Sequence, residues 1–219
     1  MKKAFLFSGL GADERVFEYL NLPDIQKIPI KWVRPKAQES LSDYAKRIIE
    51  EQININPEDT LILIGVSFGG MMAAEVAKYL KPDKLIIVSS IKTQSEMPKS
   101  FRLARFIPED KPLPSFMLNK PNFISYYLFG VKNVTHRNLI DIILKETDEV
   151  FFKWAVKEIA FWKNEEVNTQ IIHIHGTKDR IMPFRLVKNA IKIIGGGHSI
   201  VVTHAQEVSR IINESIGSS

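Results

Sequence analysis

One serine in the sequence has neighbours that suit a nucleophile. An apolar run at 61–64 leads into Gly-Val-Ser-Phe-Gly at 65–69, and small helix-forming residues follow. This order predicts a strand, a sharp turn with Ser67 at its apex, and a helix. Glycines on both sides suit such a turn, because a Cβ there would collide with the neighbouring backbone. The positive end of the helix would lie behind Ser67, where attack on a carbonyl creates an oxyanion.

Two other interpretations of this segment need no catalysis. It could be a glycine-rich turn that packs a strand against a helix, or a loop that cradles a phosphate. A phosphate-binding loop is expected to carry a lysine after its glycines, and the residues after Gly70 include none before Lys78.

In its strand–turn–helix context, the pentapeptide resembles the nucleophile elbow, Gly-x-Ser-x-Gly, of the α/β-hydrolase superfamily. Members of that superfamily carry an acid and then a histidine later in the chain, each on a loop after a strand. The Gly-Thr-x-Asp-x-x-x-Pro string at 176–183 is similar to the acid loop, and three glycines at 195–197 precede His198 as in the histidine loop. The resemblance therefore implies a catalytic triad of Ser67, Asp179 and His198.

Each of these later residues also has an ordinary structural interpretation. Asp179 could cap a helix that begins near Pro183, and His198 could be a loop histidine after a glycine turn. His173 and His175 share one face of a predicted strand, which can indicate a metal site. Because no third ligand follows at a suitable spacing, we predict neither a metal nor a cofactor.

The resemblance also implies an oxyanion hole made of two backbone N–H groups. One belongs to Phe68, the residue after the nucleophile. The other comes in the superfamily from the loop after the first central strand, which here contains Ser8-Gly9-Leu10, so Leu10 is the candidate. Ser8 stands where the superfamily usually has a histidine. Since the donor is a backbone group, this departure concerns the support of the loop more than catalysis.

Strand and helix patterns alternate along most of the chain. Strands are predicted at 3–8, 25–33, 60–66, 84–89, 170–175 and 190–194, with helices at 14–20, 41–53, 67–80 and from 203 onward. This alternation favours an α/β fold with a doubly wound, mostly parallel sheet. The resemblance implies an α/β-hydrolase fold with a minimal N-terminus. If the first strand lies between the second and third, the strand order reverses there, and ligands bind at such a point.

The segment 91–165 interrupts this alternation with helical patterns and no convincing strand. We therefore expect a core formed by 1–90 and 166–219, with 91–165 as a helical lid over the carboxyl edge of the sheet. Several aromatic and apolar side chains of this segment would suit an apolar acyl or alcohol group: Phe101, Phe106, Phe116, Met117, Phe123, Tyr126, Tyr127 and Phe129.

The composition narrows the class of protein. The 219 residues carry a formal net charge of +5, but lysines are scattered among acids, which indicates a solvated surface rather than a nucleic-acid site. The sequence has no cysteine, so disulfides and thiolate metal sites are excluded, and a cytoplasmic location is expected. No apolar run approaches the roughly 20 residues that span a bilayer.

Together these patterns predict an enzyme, a serine hydrolase that cleaves a carboxylic ester through an acyl-enzyme intermediate. A thioester or lactone is equally compatible, and the substrate is expected to be small and partly apolar. Two alternatives stay open at this point: a non-catalytic small-molecule binding protein on the same scaffold, and a hydrolase that cleaves C–C bonds with the same triad.

Overall fold

The computed structural model describes residues 1–106, 123–165 and 169–217. Within them, six strands form one sheet with the order β2-β1-β3-β4-β5-β6, and every neighbouring pair is parallel. The strands are β1 (Lys2–Phe7), β2 (Gln26–Pro29), β3 (Thr60–Val66), β4 (Lys84–Val88), β5 (Ile171–Gly176) and β6 (Ile191–Ile193). The predicted α/β class and doubly wound parallel sheet are confirmed.

Helices cover both faces of this sheet. They are α1 (Leu41–Gln52), α2 (Phe68–Leu80), α3 (Lys99–Arg102), α4 (Phe123–Phe129), α5 (Val134–Glu146), α6 (Glu149–Phe161), α7 (Ile200–Thr203) and α8 (Ala205–Gly217). Side chains of α1, α2 and α6 pack with Phe5, Leu63 and Ile87 on one face. Side chains of α7 and α8 pack with Leu6 and Ile64 on the other.

Strands β3 and β4 carry no polar side chain after their first residue because both of their faces are covered. Every residue of β3 from Leu61 to Val66 is buried, and so is every residue of β4 after Lys84. Continuous apolar runs of this kind are typical of parallel strands that lie between two helical layers. The buried faces hold β3 in the middle of the sheet, and its carboxyl end carries Ser67.

The first strand lies between the second and the third, as the switch-point argument required. β1 pairs with β2 on one side and with β3 on the other, with Phe5 opposite both Ile28 and Leu63. The loops after β1 and β3 therefore leave the same edge of the sheet on adjacent strands. A crevice forms at such a reversal of strand order.

Three predicted elements differ in extent from those observed. β2 is only four residues long, and the helix predicted after Asp13 is a single 3-10 turn at Glu14–Phe17, which Asp13 caps through the Arg15 amide. The last helix does not begin at Thr203, whose hydroxyl instead donates to the Ser199 carbonyl at 3.0 Å. Burial of the apolar residues 200–202 starts a short helix there, and α8 follows it.

None of the helices in the described ranges combines the length and the apolar character that crossing a membrane requires. Between 91 and 165 the described residues form α3 to α6 and short 3-10 turns, and they contribute no strand to the sheet.

Candidate active site

Ser67 occupies a strained turn between β3 and α2. Its backbone has φ 54° and ψ −122°, a conformation that residues with a side chain rarely adopt. The Ser67 amide donates to the Val88 carbonyl at 2.9 Å, and its carbonyl accepts from the Ser90 hydroxyl at 2.7 Å. Both bonds come from the neighbouring strand β4 or the residues just after it. They hold the turn in place and offset its conformational cost.

The two glycines of the pentapeptide are required by close backbone contacts. A Cβ on Gly65 would overlap the Gly69 carbonyl, and a Cβ on Gly69 would overlap the Phe7 carbonyl. Gly69 thus brings the start of α2 against the end of β1. The turn that carries Ser67 is thereby pressed against the loop that contains Leu10.

The three residues that the resemblance singled out lie within hydrogen-bonding distance of one another. His198 Nε2 is 2.9 Å from Ser67 Oγ, and His198 Nδ1 is 2.8 Å from Asp179 Oδ2. Asp179 Oδ1 accepts the amides of Ile181 at 2.9 Å and Met182 at 2.8 Å. One oxygen of Asp179 therefore caps the turn at 179–182, and not the 3-10 helix Phe184–Leu186 that follows Pro183, while the other oxygen faces the imidazole.

The surroundings of Asp179 favour its ionised form. Burial alone would raise the pKa of Asp179, but attraction to His198 and hydrogen bonds from His175, His198 and the Met182 amide outweigh it. The pKa of the carboxyl consequently lies well below its usual range. A buried carboxylate that stays ionised can orient an imidazole and stabilise its protonated form.

The acid loop and the histidine loop are bonded directly to each other. The Thr177 amide donates to the Ile193 carbonyl at 3.0 Å, and the Lys178 amide donates to the Gly196 carbonyl at 2.8 Å. The Gly195 amide returns a bond to the Thr177 hydroxyl at 2.9 Å. Because β5 and β6 are adjacent, these bonds hold Asp179 and His198 in a defined separation.

The two residues predicted to donate backbone N–H groups to an oxyanion both belong to segments next to Ser67. The Phe68 amide lies in the first turn of α2, where amides have no partner within the helix. Leu10 belongs to the turn that the Ala12 amide closes on the Gly9 carbonyl at 3.0 Å, a bond that does not use the Leu10 amide. Leu10 and Ser67 line the same small cavity.

That cavity is narrow and mostly apolar, with a volume of about 40 Å³. It is lined by Ser67 and His198 together with Leu10, Val16, Phe129, Ile140, Leu144 and Val201, among others. A second, wider cavity of about 370 Å³ lies beside it and has charged side chains such as Asp13, Arg34 and Glu146 in its wall. Gly11 and Ala12 belong to the walls of both cavities.

Helix α4 reaches the site through its carboxyl end. The Ser199 amide donates to the Phe129 carbonyl at 3.0 Å, and the ring centroids of Phe129 and His198 are 5.9 Å apart. Of the apolar residues proposed to shape the pocket, Phe129 alone lines the small cavity within the described ranges. Phe106 is exposed, Tyr126 bonds to Asp141, and Phe116 and Met117 lie outside the described residues.

The sequence did not point to several supporting residues. Ser90 and Trp32 form side-chain bonds to the Ser67 turn and to Ser8, respectively, and His175 lies 3.3 Å from Asp179 Oδ2. Of these residues, only His175 belongs to a recognisable sequence pattern, because it alternates with His173 on β5. That pattern can indicate a metal site and does not by itself predict a contact with Asp179. The described residues contain no group of three His, Cys, Asp or Glu side chains that could hold a metal ion.

No family model matches the chain, and no curated protein matches its sequence. Solved structures do resemble it. ClbQ from the colibactin NRPS/PKS pathway superposes with a TM-score of 0.67 at 15% identity, over 99% of this chain and 97% of that one. A thermophilic esterase from Thermogutta terrifontis superposes with a TM-score of 0.74 at 14% identity, over 100% of this chain and 90% of that one. Polyneuridine aldehyde esterase gives 0.66 at 16% identity, over 98% and 99%. The chain has the α/β-hydrolase fold.

Proposed function

We propose that this protein is a serine hydrolase that cleaves small carboxylic esters through an acyl-enzyme intermediate. The observation that carries the proposal is the pair of hydrogen bonds that link Ser67 Oγ to His198 and His198 to Asp179, at 2.9 Å and 2.8 Å. A serine needs a base within this reach to become a nucleophile, and the base needs a third group to orient it.

The proposed reaction has two steps. His198 Nε2 takes the Ser67 proton as Oγ attacks the ester carbonyl, and the amides of Leu10 and Phe68 donate to the resulting oxyanion. The C–O bond of the ester breaks, and the proton on His198 passes to the leaving alcohol. His198 then takes a proton from water, whose oxygen attacks the acyl carbon. The bond from that carbon to Ser67 Oγ breaks, His198 returns the proton to Oγ, and the acid is released. Asp179 stays ionised throughout and orients the imidazole.

The two cavities support a substrate with a short acyl group. The cavity beside Ser67 is small, about 40 Å³ against about 370 Å³ for the wider one, and its wall is mostly apolar. A small acyl group such as acetyl or propionyl suits a cavity of this kind. Acetate and propionate esters are therefore the preferred substrates, and the chemistry applies equally to a short thioester.

We retain the division into a core of 1–90 and 166–219 and a lid of 91–165 as part of the proposal. It is supported by α4 and α5, whose residues Phe129, Ile140 and Leu144 line the small cavity together with Ser67. A cytoplasmic location, a small-molecule partner and the absence of nucleic-acid binding likewise stay predictions.

A fluorophosphonate probe tests the proposal. Intact mass should increase by one adduct in the natural protein and remain unchanged in Ser67→Ala. Ser42→Ala is a control. The Ser42 hydroxyl forms a hydrogen bond with Tyr79 at the protein surface, so its removal should not affect labelling.

A panel of acetate, propionate and butyrate esters, with thioesters and β-diketones alongside, then identifies the bond that is cleaved. Binding without turnover across this panel, with no adduct on Ser67, would favour a non-catalytic binding protein. Turnover of the diketones alone would favour the C–C hydrolase.

A further inference from the structure

Behind Asp179 lies a second imidazole that the proposed reaction does not use. His175 is fully buried at the end of β5, with Nε2 2.7 Å from the Met182 carbonyl oxygen and 3.3 Å from Asp179 Oδ2. Both neighbours are acceptors, so Nε2 carries a proton and donates toward them. Because the Met182 amide donates to Asp179 Oδ1, His175 supports both the carboxylate and the turn that it caps.

His173 determines which nitrogen of His175 is protonated. His173 Nε2 lies 3.0 Å from the Ser90 carbonyl, to which it must donate, and 3.4 Å from His175 Nδ1. His175 Nδ1 faces this N–H and therefore serves as an acceptor, which leaves His175 neutral with its proton on Nε2. Burial, with repulsion from Lys92, lowers the pKa of His173 to about 3, so His173 is neutral as well.

The nearest charged groups are engaged elsewhere. Lys92 faces His173 and is paired with Glu96 at 2.7 Å. Arg180 lies over the Tyr127 ring, 4.0 Å from its centroid. Lys192 lies over the Phe184 ring, which itself packs on His175. Across the described ranges, none of these cations is hydrogen-bonded to His175.

We propose that His175 is a positioning residue, whose Nε2–H fixes the 179–182 turn so that Asp179 Oδ2 faces His198 Nδ1. The inference rests on the proposed function, because it assigns His175 a task only if Asp179 orients the catalytic imidazole. A carboxylate held by a second donor loses rotational freedom and shares its negative charge between two imidazoles. His173 acts indirectly: its Nε2–H faces His175 Nδ1 and keeps the proton of His175 on Nε2.

Two substitutions separate positioning from packing. His175→Met removes the donor in a similar volume, whereas His175→Gln keeps an N–H at about the reach of Nε2. We expect His175→Met to lower kcat by about ten- to a hundredfold, as expected for a lost hydrogen bond to a charged group, with KM within about twofold. His175→Gln should stay within about threefold of the natural kcat if the N–H is what matters.

The pH profile provides the readout that packing would not change. Without the His175 donor, Asp179 attracts the protonated imidazole of His198 more strongly, so the acid limb of kcat/KM should move to higher pH in His175→Met. In His175→Gln the limb should stay in place. The proposal would be overturned if His175→Met had the kcat of the natural protein and an unchanged acid limb of kcat/KM. It would also be overturned if His175→Met and His175→Gln lost the same share of kcat.

If His175→Met does not fold, the proposal is tested by nitrogen NMR of the natural protein, which measures the tautomer and charge of His175. A neutral His175 protonated on Nε2 at pH 7 supports the proposal, and an Nδ1–H tautomer or an imidazolium overturns it. Failure of the two proposals can be distinguished with fluorophosphonate. An unlabelled Ser67 in the natural protein contradicts the hydrolase itself, whereas equal labelling rates in the natural protein and in folded His175→Met contradict only the role of His175.

Discussion

Trp32 donates its indole N–H to the Ser8 hydroxyl at 2.8 Å, and Ser8 in turn donates to the Ala12 carbonyl at 2.8 Å. These two bonds connect the loop after β2 to both ends of the turn that contains Leu10. A small hydroxyl thus supports the loop at the position where the superfamily that the sequence resembles usually has a histidine. The support acts on the backbone, which is the part of this loop that the proposed oxyanion hole would use.

Ser8→Ala should weaken catalysis without disturbing the triad. The change leaves the Trp32 N–H without its acceptor and frees the turn, so we expect kcat to fall about tenfold and stability to drop by about 1–3 kcal/mol. Steady-state kinetics and urea unfolding measure the two effects. Trp32→Phe, which spares the Ser8–Ala12 bond, should lower stability but reduce kcat less. An equal loss of kcat in both variants would contradict support through Ser8.

The strained backbone at Ser67 should lower the free energy of unfolding of any variant that keeps a side chain there. Ser67→Ala and Ser67→Gly both remove the hydroxyl and should both abolish turnover, but only glycine adopts φ 54° without a steric cost. We expect Ser67→Gly to be more stable than Ser67→Ala by about 1 kcal/mol, because relief of strain exceeds the added chain entropy. Urea unfolding of the two variants tests this difference. Equal stability would show that the turn carries no strain that glycine can relieve.

Leu144→Ala should lengthen the acyl chain that the protein accepts. The side chain of Leu144 lines the small cavity beside Ser67, and its truncation enlarges the space for the acyl group. We expect the ratio of kcat/KM for butyrate over acetate esters to rise by about tenfold, on the scale of one or two methylene groups in an apolar pocket. Ile142→Ala, on the exposed side of the same helix, is the control and should leave the ratio unchanged. A natural protein that prefers long acyl chains would contradict the short-acyl proposal.

Acidification should destabilise the protein through His173. Burial lowers the pKa of His173 from 6.5 to about 3, so between these values the unfolded chain binds a proton that the folded chain does not. The contribution of His173 to the free energy of unfolding is complete above pH 6.5 and is lost as the pH falls toward 3. At about 1.4 kcal/mol per pH unit, it can amount to a few kcal/mol.

His173→Gln tests that origin, because the amide can still donate to the Ser90 carbonyl but does not titrate. Unfolding free energies measured in urea between pH 4 and 7 should fall more steeply for the natural protein than for the variant. Parallel curves would show that other groups cause the loss of stability in acid.

The parallel sheet and the position of Ser67 in the turn after β3 could be predicted because they depend on local patterns, whereas the place of β1 between β2 and β3 was only the condition of the switch-point argument. Continuous apolar runs indicated β3 and β4, and glycine spacing indicated the turn after β3. Asp179 and His198 were found through their loop sequences, and the adjacency of β5 and β6 accounts for their proximity. The proposed catalytic roles of these residues remain predictions.

Contacts between distant segments could not be predicted in the same way. His175 reaches Asp179 only because the 179–182 turn folds back toward the end of β5. Ser8 meets Trp32 because β2 ends beside β1. The size of the small cavity depends on how closely α4 and α5 approach the site, and the amphipathic pattern of a helix does not specify that distance. The last helical region begins at Ile200 and not at the predicted Thr203, because its apolar residues 200–202 are buried against the sheet and tertiary burial overrides local preference.

The placement of His198 also affects when the site can form during synthesis. His198 lies 131 residues after Ser67 in the chain, and its loop is held by bonds to the segment that follows β5. Contacts between residues so far apart form late, because a long loop must close before they stabilise the fold. Strands β1 to β4 can pair on a ribosome-bound chain well before His198 emerges. The nascent protein therefore acquires its serine and its helix-backed turn first and the histidine last, so Ser67 lacks its imidazole partner until most of the chain has been made.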